Sequence, residues 1–339
     1  MPNATWSACI DTLCDQLVEY YVFPDVAEQI VAVLRQRLAD GSYDAIAGDE
    51  DFAAAVTKDL QSFNDDKHLR LLYSIDPIPE GDPGPVFDEA VYRVEVELSC
   101  SGIASVQRLD GNVGYLDLRV MHNAPNAGHA AVAAMTLLAH TDVLLVDLRR
   151  NGGGDPGIVA LYCSYLFDDR THLNDLYWRV GDHTSHWWTL PYVPGPKFGG
   201  TKPVYVLTSE DTFSGAEEFC YNLATRGRAT IIGERTGGGA HPGGRYRVGT
   251  HLKSAVPSGR AINPVTGTNW EGTGVKPDIG VPAAEAFDAA YRLALDHVLT
   301  LGSDGPRREV AEEAAEARAA LGSSAALGGS GQQLEGAAG

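Results

Sequence analysis

VYVLTSEDTFSGAEEFCYNL, residues Val204 to Leu223, decides how this chain is built. Val204 to Leu207 is a β-branched and apolar run suited to the inside of a sheet, and Glu217 to Leu223 then follows helical spacing. The stretch therefore drives a buried strand into a helix, with Ser214 and Gly215 at the junction. Unpaired amides in the first turn of a helix can stabilise an oxyanion, and the helix dipole favours developing negative charge there. A serine so placed can be a nucleophile. A serine that opens a helix is more often only an N-cap, and Ser209 and Thr212 compete for that task.

Support comes from LLVDLRRNGGGDPGIVAL, Leu144 to Leu161, where an apolar strand ends at Asp147 and leads through Arg149 into three consecutive glycines. The glycines are contiguous, so this is neither a GxGxxG dinucleotide fingerprint nor a phosphate-binding P-loop with its lysine and hydroxyl. Bare amides here would face a substrate, which makes Gly152 or Gly153 a candidate oxyanion donor beside Gly215. A tight turn needing positive φ is the competing reading. In NDDKHLRLLY, Asn64 to Tyr73, His68 follows a charged cluster, and a histidine titrates near neutrality as a general base must. In WEGTGVKPDIGVP, Trp270 to Pro282, Glu271 precedes a glycine and proline turn, where a carboxylate could orient a base or simply lie exposed.

Composition limits the possibilities. A chain of 339 residues with 44% hydrophobic content can bury a large core and fits two structural units. Its net charge of −19 argues against nucleic acid and anionic membrane surfaces as partners. Cys9, Cys14, Cys100, Cys163 and Cys220 include no CxxC pair, which fits free thiols in a reducing compartment. The start of the sequence lacks the basic and apolar regions of a secretory signal, and no stretch is apolar enough to span a bilayer. The expected location is cytoplasmic.

Thr5 to Tyr21, Val26 to Leu38 and Asp49 to Phe63 read as helices, with Pro24 at the first break. They form an amino-terminal three-helix bundle within residues 1–75. Residues 76–110 read as a linker and first strands, 111–301 as an α/β core of alternating strands and helices, and 302–339 as a largely disordered tail after one short helix. Packing the bundle on the core would bring His68 over Ser214, which puts the expected site between domains. LNDLYWRVGDHTSHWWTLPYVPGP, Leu173 to Pro196, concentrates aromatic residues as a hairpin would. Its Trp187 and Trp188 are candidates for the wall of an apolar pocket. His183 and His186 have no acidic or cysteine partner at suitable spacing, so no metal and no cofactor are assigned.

The segments KHL, DLRRNGGG, TSEDTFSGAEEF, GERTGGGAHPGG and EGTGVKPDIGVP, in that order and spacing, resemble the serine peptidase family of tail-specific (C-terminal processing) proteases. The family also includes the core of tricorn protease and the repeats of interphotoreceptor retinoid-binding protein. The resemblance runs from about Val18 to Leu295. EYYVFPDVAEQIVAVLRQRLADGSYDAI, Glu19 to Ile46, is similar to the helical region of the retinoid-binding-protein branch. It implies the spiral ββα core shared with Clp protease and crotonases, a nucleophile at Ser214, oxyanion donors at Gly215 and the Gly152–Gly153 pair, a base at His68 and its acidic partner at Glu271.

Two departures qualify that assignment. Lys67 stands where the tricorn-like branch has a second serine. The turn Thr236 to Ala240 reads TGGGA, without the lysine that serves as base in the tail-specific branch, and His241 just beyond is the candidate substitute polar group. Only about 40 residues separate His68 from the strand at Val113, too few for an inserted PDZ domain. The implied chemistry is acyl transfer on a peptide or small-molecule substrate. Two other classes stay open: a binding protein for an apolar small molecule, and a biosynthetic cyclase or acyl-transfer enzyme. The sequence also leaves open whether copies of the chain form a homo-oligomer.

Overall fold

In the computed structural model, residues 4–81 and 84–329 are described. The chain opens with helices α1 (Ala4–Tyr20), α2 (Pro24–Ala39) and α3 (Asp49–Leu60), followed by strand β1 (Arg70–Tyr73) and helix α4 (Glu89–Leu98). Strands β2 (Ile103–Leu109) and β3 (Val113–Leu118), helix α5 (Ala124–Leu138), strand β4 (Val143–Asp147) and helix α6 (Pro156–Ser164) come next. The hairpin β5 (His172–Trp178) and β6 (His183–Trp188) precedes β7 (Val204–Thr208), α7 (Gly215–Ala224) and β8 (Thr230–Gly233). The remainder is β9 (Gly243–Arg247), β10 (Leu252–Pro257), β11 (Gly259–Ile262), β12 (Ile279–Gly280), α8 (Ala286–Leu299) and α9 (Arg307–Gly329). The result is mixed α/β with amino-terminal helices.

Two compact units are present, each built from separated stretches of chain. The first takes in the chain to Glu95, with His172–Trp188 and Gly238–Gly274. Its core gathers Ile10, Leu13, Leu17, Ile30, Leu34, Phe52, Val56 and Leu60 from the three helices with Leu69, Leu71 and Val256. Pro24 occupies the first turn of α2, where its missing N–H costs nothing. Two small antiparallel sheets complete the unit, in the orders β1-β10-β9 and β11-β5-β6.

The second unit takes in Val96–Thr171, Thr189–Gly237 and the chain from Val275. It holds a six-stranded sheet in the order β12-β8-β7-β4-β3-β2. All neighbours are parallel except β2, which runs antiparallel to β3 at one edge. All five residues of β4 are buried, as expected of a strand covered on both faces. Helix α8 covers one face through Ala286, Ala290, Ala294, Leu295 and Val298.

Three differences from the sequence reading have local causes. The apolar run Ala130 to Ala139 reads as a helix in the sequence, yet α5 starts six residues earlier, at Ala124, because the Asn123 side chain caps it and a proline fills its first turn. Helix α4 falls in the stretch read as linker and strands. Its valines alternate with charges, yet the Asp88 carboxylate accepts the N–H groups of Ala90 and Val91 and fixes a helix start. Beyond Gly302, α9 runs to 23 residues and reaches the α8 core through Val310, Ala314 and Ala317. The disorder expected from residue 330 onward lies outside the described residues. Among the described residues, no helix is long and apolar enough to cross a membrane.

Candidate active site

Parallel neighbours end on the same side of a sheet, so the loops after β4, β7 and β8 emerge together in the second unit. These loops carry Asn151–Gly154, Ser209–Ser214 and Glu234–Gly237. Backbone bonds tie them, from Phe213 N–H to Asn151 O at 3.0 Å and from Gly237 N–H to Thr212 O at 2.9 Å. A Cβ on Gly153 would lie 2.7 Å from Gly215 N, from Phe213 O and from Ser214 Cβ, and Gly153 has φ +100°. Only glycine lets the two backbones approach that closely.

Ser214 is the N-cap of α7, with φ 53° and ψ −121°. An ordinary serine N-cap is extended, with negative φ. A non-glycine residue held in this region costs about 1–3 kcal/mol and persists only where its surroundings impose it. Here Glu217 imposes it: its buried carboxylate accepts the Ser214 N–H at 2.9 Å and the Thr236 hydroxyl on its other oxygen. Thr236 Oγ1 in turn accepts the Val275 N–H at 2.7 Å. Ser214 and Glu217 also satisfy a capping box, whose S-x-x-E spacing was visible in the sequence and whose positioning role was not read from it.

The glycine loop divides its amides. Gly153 N–H donates to Asn151 Oδ1 at 2.8 Å, and Asn151 Nδ2 donates to Leu118 O at 2.9 Å, which anchors the loop. Among the described residues, the N–H groups of Gly152 and Gly215 have no acceptor. Gly152 is exposed.

The histidines and the acidic candidates belong to the first unit. Asp66 is fully buried in the turn between α3 and β1. Its Oδ1 accepts the backbone N–H of His68 at 3.1 Å, and its Oδ2 accepts the Tyr21 hydroxyl at 3.1 Å. His241 Nδ1 lies 2.9 Å from the same Oδ2 and 3.4 Å from Glu271 Oε2. Asn64 Nδ2 donates to the Tyr21 oxygen at 2.6 Å. Burial, then the Asp66 charge, push the Tyr21 hydroxyl well above its ordinary range, so it remains a donor.

The turn that carries Glu271 is pinned to the glycine run before His241. Trp270 Nε1 donates to Gly239 O at 2.8 Å, Gly272 N–H donates to Gly238 O at 3.0 Å, and Glu271 Oε2 accepts the Ala240 N–H. Glu271, expected as the partner of His68, therefore lies against His241. The structure gives His241 two carboxylate neighbours, Asp66 and Glu271. The three ligand atoms of Asp66, His241 and Glu271 lie within 4.8 Å of one another, a set that could hold a metal ion as well as relay a proton.

His68 is half-buried beside this cluster. Burial pushes its imidazole down to about 4, against the opposing pull of Asp66, and His241 and Arg70 add to the depression. It is neutral at pH 7. Lys67 next to it is half-buried, and its carbonyl accepts from Arg70 Nε at 2.6 Å. Asp66, Tyr21 and Glu217 are the residues that the sequence reading passed over. Asp66 stood in the quoted NDDKHL cluster, where an adjacent Asp65 and Lys67 made it look like surface charge.

Trp187 and Trp188 lie on β6 of the first unit. Trp188 stacks on His172 with centroids 4.3 Å apart. The same hairpin corrects the reading that His186 has no acidic neighbour. Pairing places Asp175 opposite His186, with its Oδ1 2.7 Å from His186 Nδ1. A partner across a strand pair is invisible to linear spacing.

Comparison with known proteins agrees with this architecture. Residues 112–281 match peptidase family S41, and residues 3–94 match the N-terminal domain that this family carries in eukaryotic interphotoreceptor retinoid-binding protein. Among solved structures, the photosystem II D1 C-terminal processing protease is similar at 16% identity and a TM-score of 0.51, over 83% of this chain and 94% of its own. A candidate peptidase from Parabacteroides merdae matches at 16% identity and 0.60, over 86% and 98%. A lipoprotein from Streptococcus agalactiae matches at 16% and 0.57, over 88% and 98%. At such identity these structures speak for the fold. The matched stretch 112–281 spans half of the sequence, and the chain belongs to peptidase family S41, with an amino-terminal domain of the retinoid-binding-protein type.

Proposed function

We propose that the protein is a serine peptidase, or a closely related hydrolase, that works through an acyl-enzyme on Ser214. The observation that carries this reading is the backbone of Ser214, held at positive φ against a glycine loop by a buried carboxylate. A serine needed only as an N-cap has no use for that strain. The core is read as the spiral ββα arrangement shared with Clp protease and crotonases.

In the proposed reaction Ser214 Oγ attacks the substrate carbonyl carbon and gives up its proton to a general base, the role assigned to His68. The oxyanion is held by the N–H groups of Gly215 and Gly152, since the Gly153 amide is occupied by Asn151. The tetrahedral intermediate collapses, the C–N bond breaks, and His68 returns the proton to the departing amine. Water then attacks the ester by the same route in reverse and frees Ser214. A neutral resting His68 is ready to accept a proton, and the Asp66 charge favours the imidazolium that forms. Asp66, Glu271 and His241 are read as the polar support of this base.

A second assignment within the same reaction has its own observation. His241, buried with Nδ1 on Asp66, has the carboxylate–imidazole pairing of a catalytic base. Loss of turnover in His241→Ala with turnover kept in His68→Ala would move the role to His241. All five cysteines are free thiols, which supports a reducing compartment such as the cytoplasm.

The reading is tested by pre-steady-state hydrolysis of an activated aryl ester. A product burst equal to the enzyme concentration, absent from Ser214→Ala, is expected. Linear release at the same rate in both proteins would overturn it.

A further inference from the structure

On the β5–β6 hairpin, His172, Asp175 and His186 converge from residues far from the Ser214 loop in sequence. Asp175 Oδ1 lies 2.6 Å from His172 Nε2 and 2.7 Å from His186 Nδ1. Regular alternation would place His172 and Asp175 on opposite faces of β5. The register shifts by one residue between His172 and Asn174, so His172 pairs with Trp188 while Asp175 pairs with His186. This bulge turns His172 onto the face that carries Asp175, His186 and Trp188. Stacking on Trp188, with planes 7° apart, then fixes the His172 ring.

We propose that His172, Asp175 and His186 form a divalent transition-metal site suited to Zn2+. Two imidazole nitrogens and a carboxylate oxygen are the donor set that borderline ions select, whereas calcium and magnesium prefer oxygen alone. The three ligand atoms already lie within 4.8 Å of one another. Bonds of about 2.0–2.2 Å in a tetrahedral arrangement put neighbouring ligand atoms roughly 3.3 Å apart. The contacts at 2.6 and 2.7 Å must therefore open by about 0.6–0.7 Å to admit the ion. His186, with 59% of its side chain exposed, can make that adjustment, while His172 at 25% and Asp175 at 17% stay anchored.

Metal binding replaces the two nitrogen–carboxylate contacts with nitrogen–metal bonds. Each imidazole then carries its one proton on the other ring nitrogen, and any extra proton goes to solvent. Three protein ligands leave a fourth position for water. The ion would staple β5 to β6 beside Trp187 and Trp188. None of this depends on the acyl-transfer reading.

Titration calorimetry of the full chain with zinc chloride, in a buffer that does not chelate, tests the proposal. One zinc per chain is expected, weakened at least about tenfold in His172→Ala and in His186→Ala and kept in Glu271→Gln. The thermal midpoint of the unaltered protein should rise with zinc, and that of His186→Ala should not. Because His186 is exposed, its loss leaves the fold available for measurement. No zinc binding, binding indifferent to His186→Ala, or binding lost instead in Glu271→Gln would overturn the assignment, the last by moving the ion to the buried Asp66 cluster.

Discussion

At the Ser214 turn backbone geometry, fixed by the Glu217 carboxylate, presents the reactive group: a strained residue, a glycine within touching distance, and amides pointed by a helix start. At the Asp66 turn side chains do the holding: one buried carboxylate gathers a tyrosine, a backbone amide and an imidazole. The fold of the first region should survive loss of the Ser214 hydroxyl and suffer from a change in backbone shape. The second has the opposite sensitivity, because an unpartnered buried charge costs far more than a small shift of the chain. Substitutions that separate shape from chemistry should therefore part the two regions.

The largest expected effect is at Ser214. Ser214→Ala should lower kcat by about 10⁴-fold or more while leaving a folded protein. Ser214→Gly should be equally inactive, yet more stable by about 1 kcal/mol, because glycine removes the positive-φ strain. Urea unfolding of the three proteins checks this, and a less stable Ser214→Gly would mean that the turn stores no strain.

Next come the neighbouring glycines. Gly153→Ala should cost about 10²–10³ in kcat by pushing the Ser214 turn out of place. Gly152→Ala, with open space around its Cβ position, should retain most of the activity since its amide survives. Equal losses in the two variants would contradict a shape-limited turn.

In the other region, His241→Ala should destabilise the protein by about 3 kcal/mol by stripping a partner from the buried Asp66. Chemical denaturation measures it, and a cost near zero would show that the cluster is not a tightly coupled unit.

The smallest effect concerns pH. His68 must be neutral to act as base, so the acid limb of kcat/KM should fall near 4 instead of near an ordinary histidine's value of about 6.5. The same depression has a stability sign. The unfolded chain takes up a proton at His68 below about 6.5 and the folded chain does not until about 4, so stability declines as pH falls through that window. His68→Ala should flatten the decline.

Much of the second unit was legible because strand-then-helix patterns and contiguous glycines are local signals. The strand before Ser214 and the helix after it follow from Val204–Leu207 and Glu217–Leu223, and parallel pairing of β4 with β7 brings the two quoted loops together. The positive φ of Ser214 was not legible, because it is imposed by Glu217 and Thr236 acting through the fold. The first unit was harder to read. Asp66, Tyr21 and His241 are far apart in sequence, and their chemistry exists only once burial brings one carboxylate between them. Asp175 and His186 meet across a strand pair, and the bulge that recruits His172 leaves no mark in composition.

Reaction with a fluorophosphonate, followed by intact mass, decides whether Ser214 is an activated nucleophile. One adduct per chain is expected, mapped to Ser214 and absent from both Ser214→Ala and His68→Ala. An unmodified, well-folded protein, or an adduct that persists in Ser214→Ala, would contradict it.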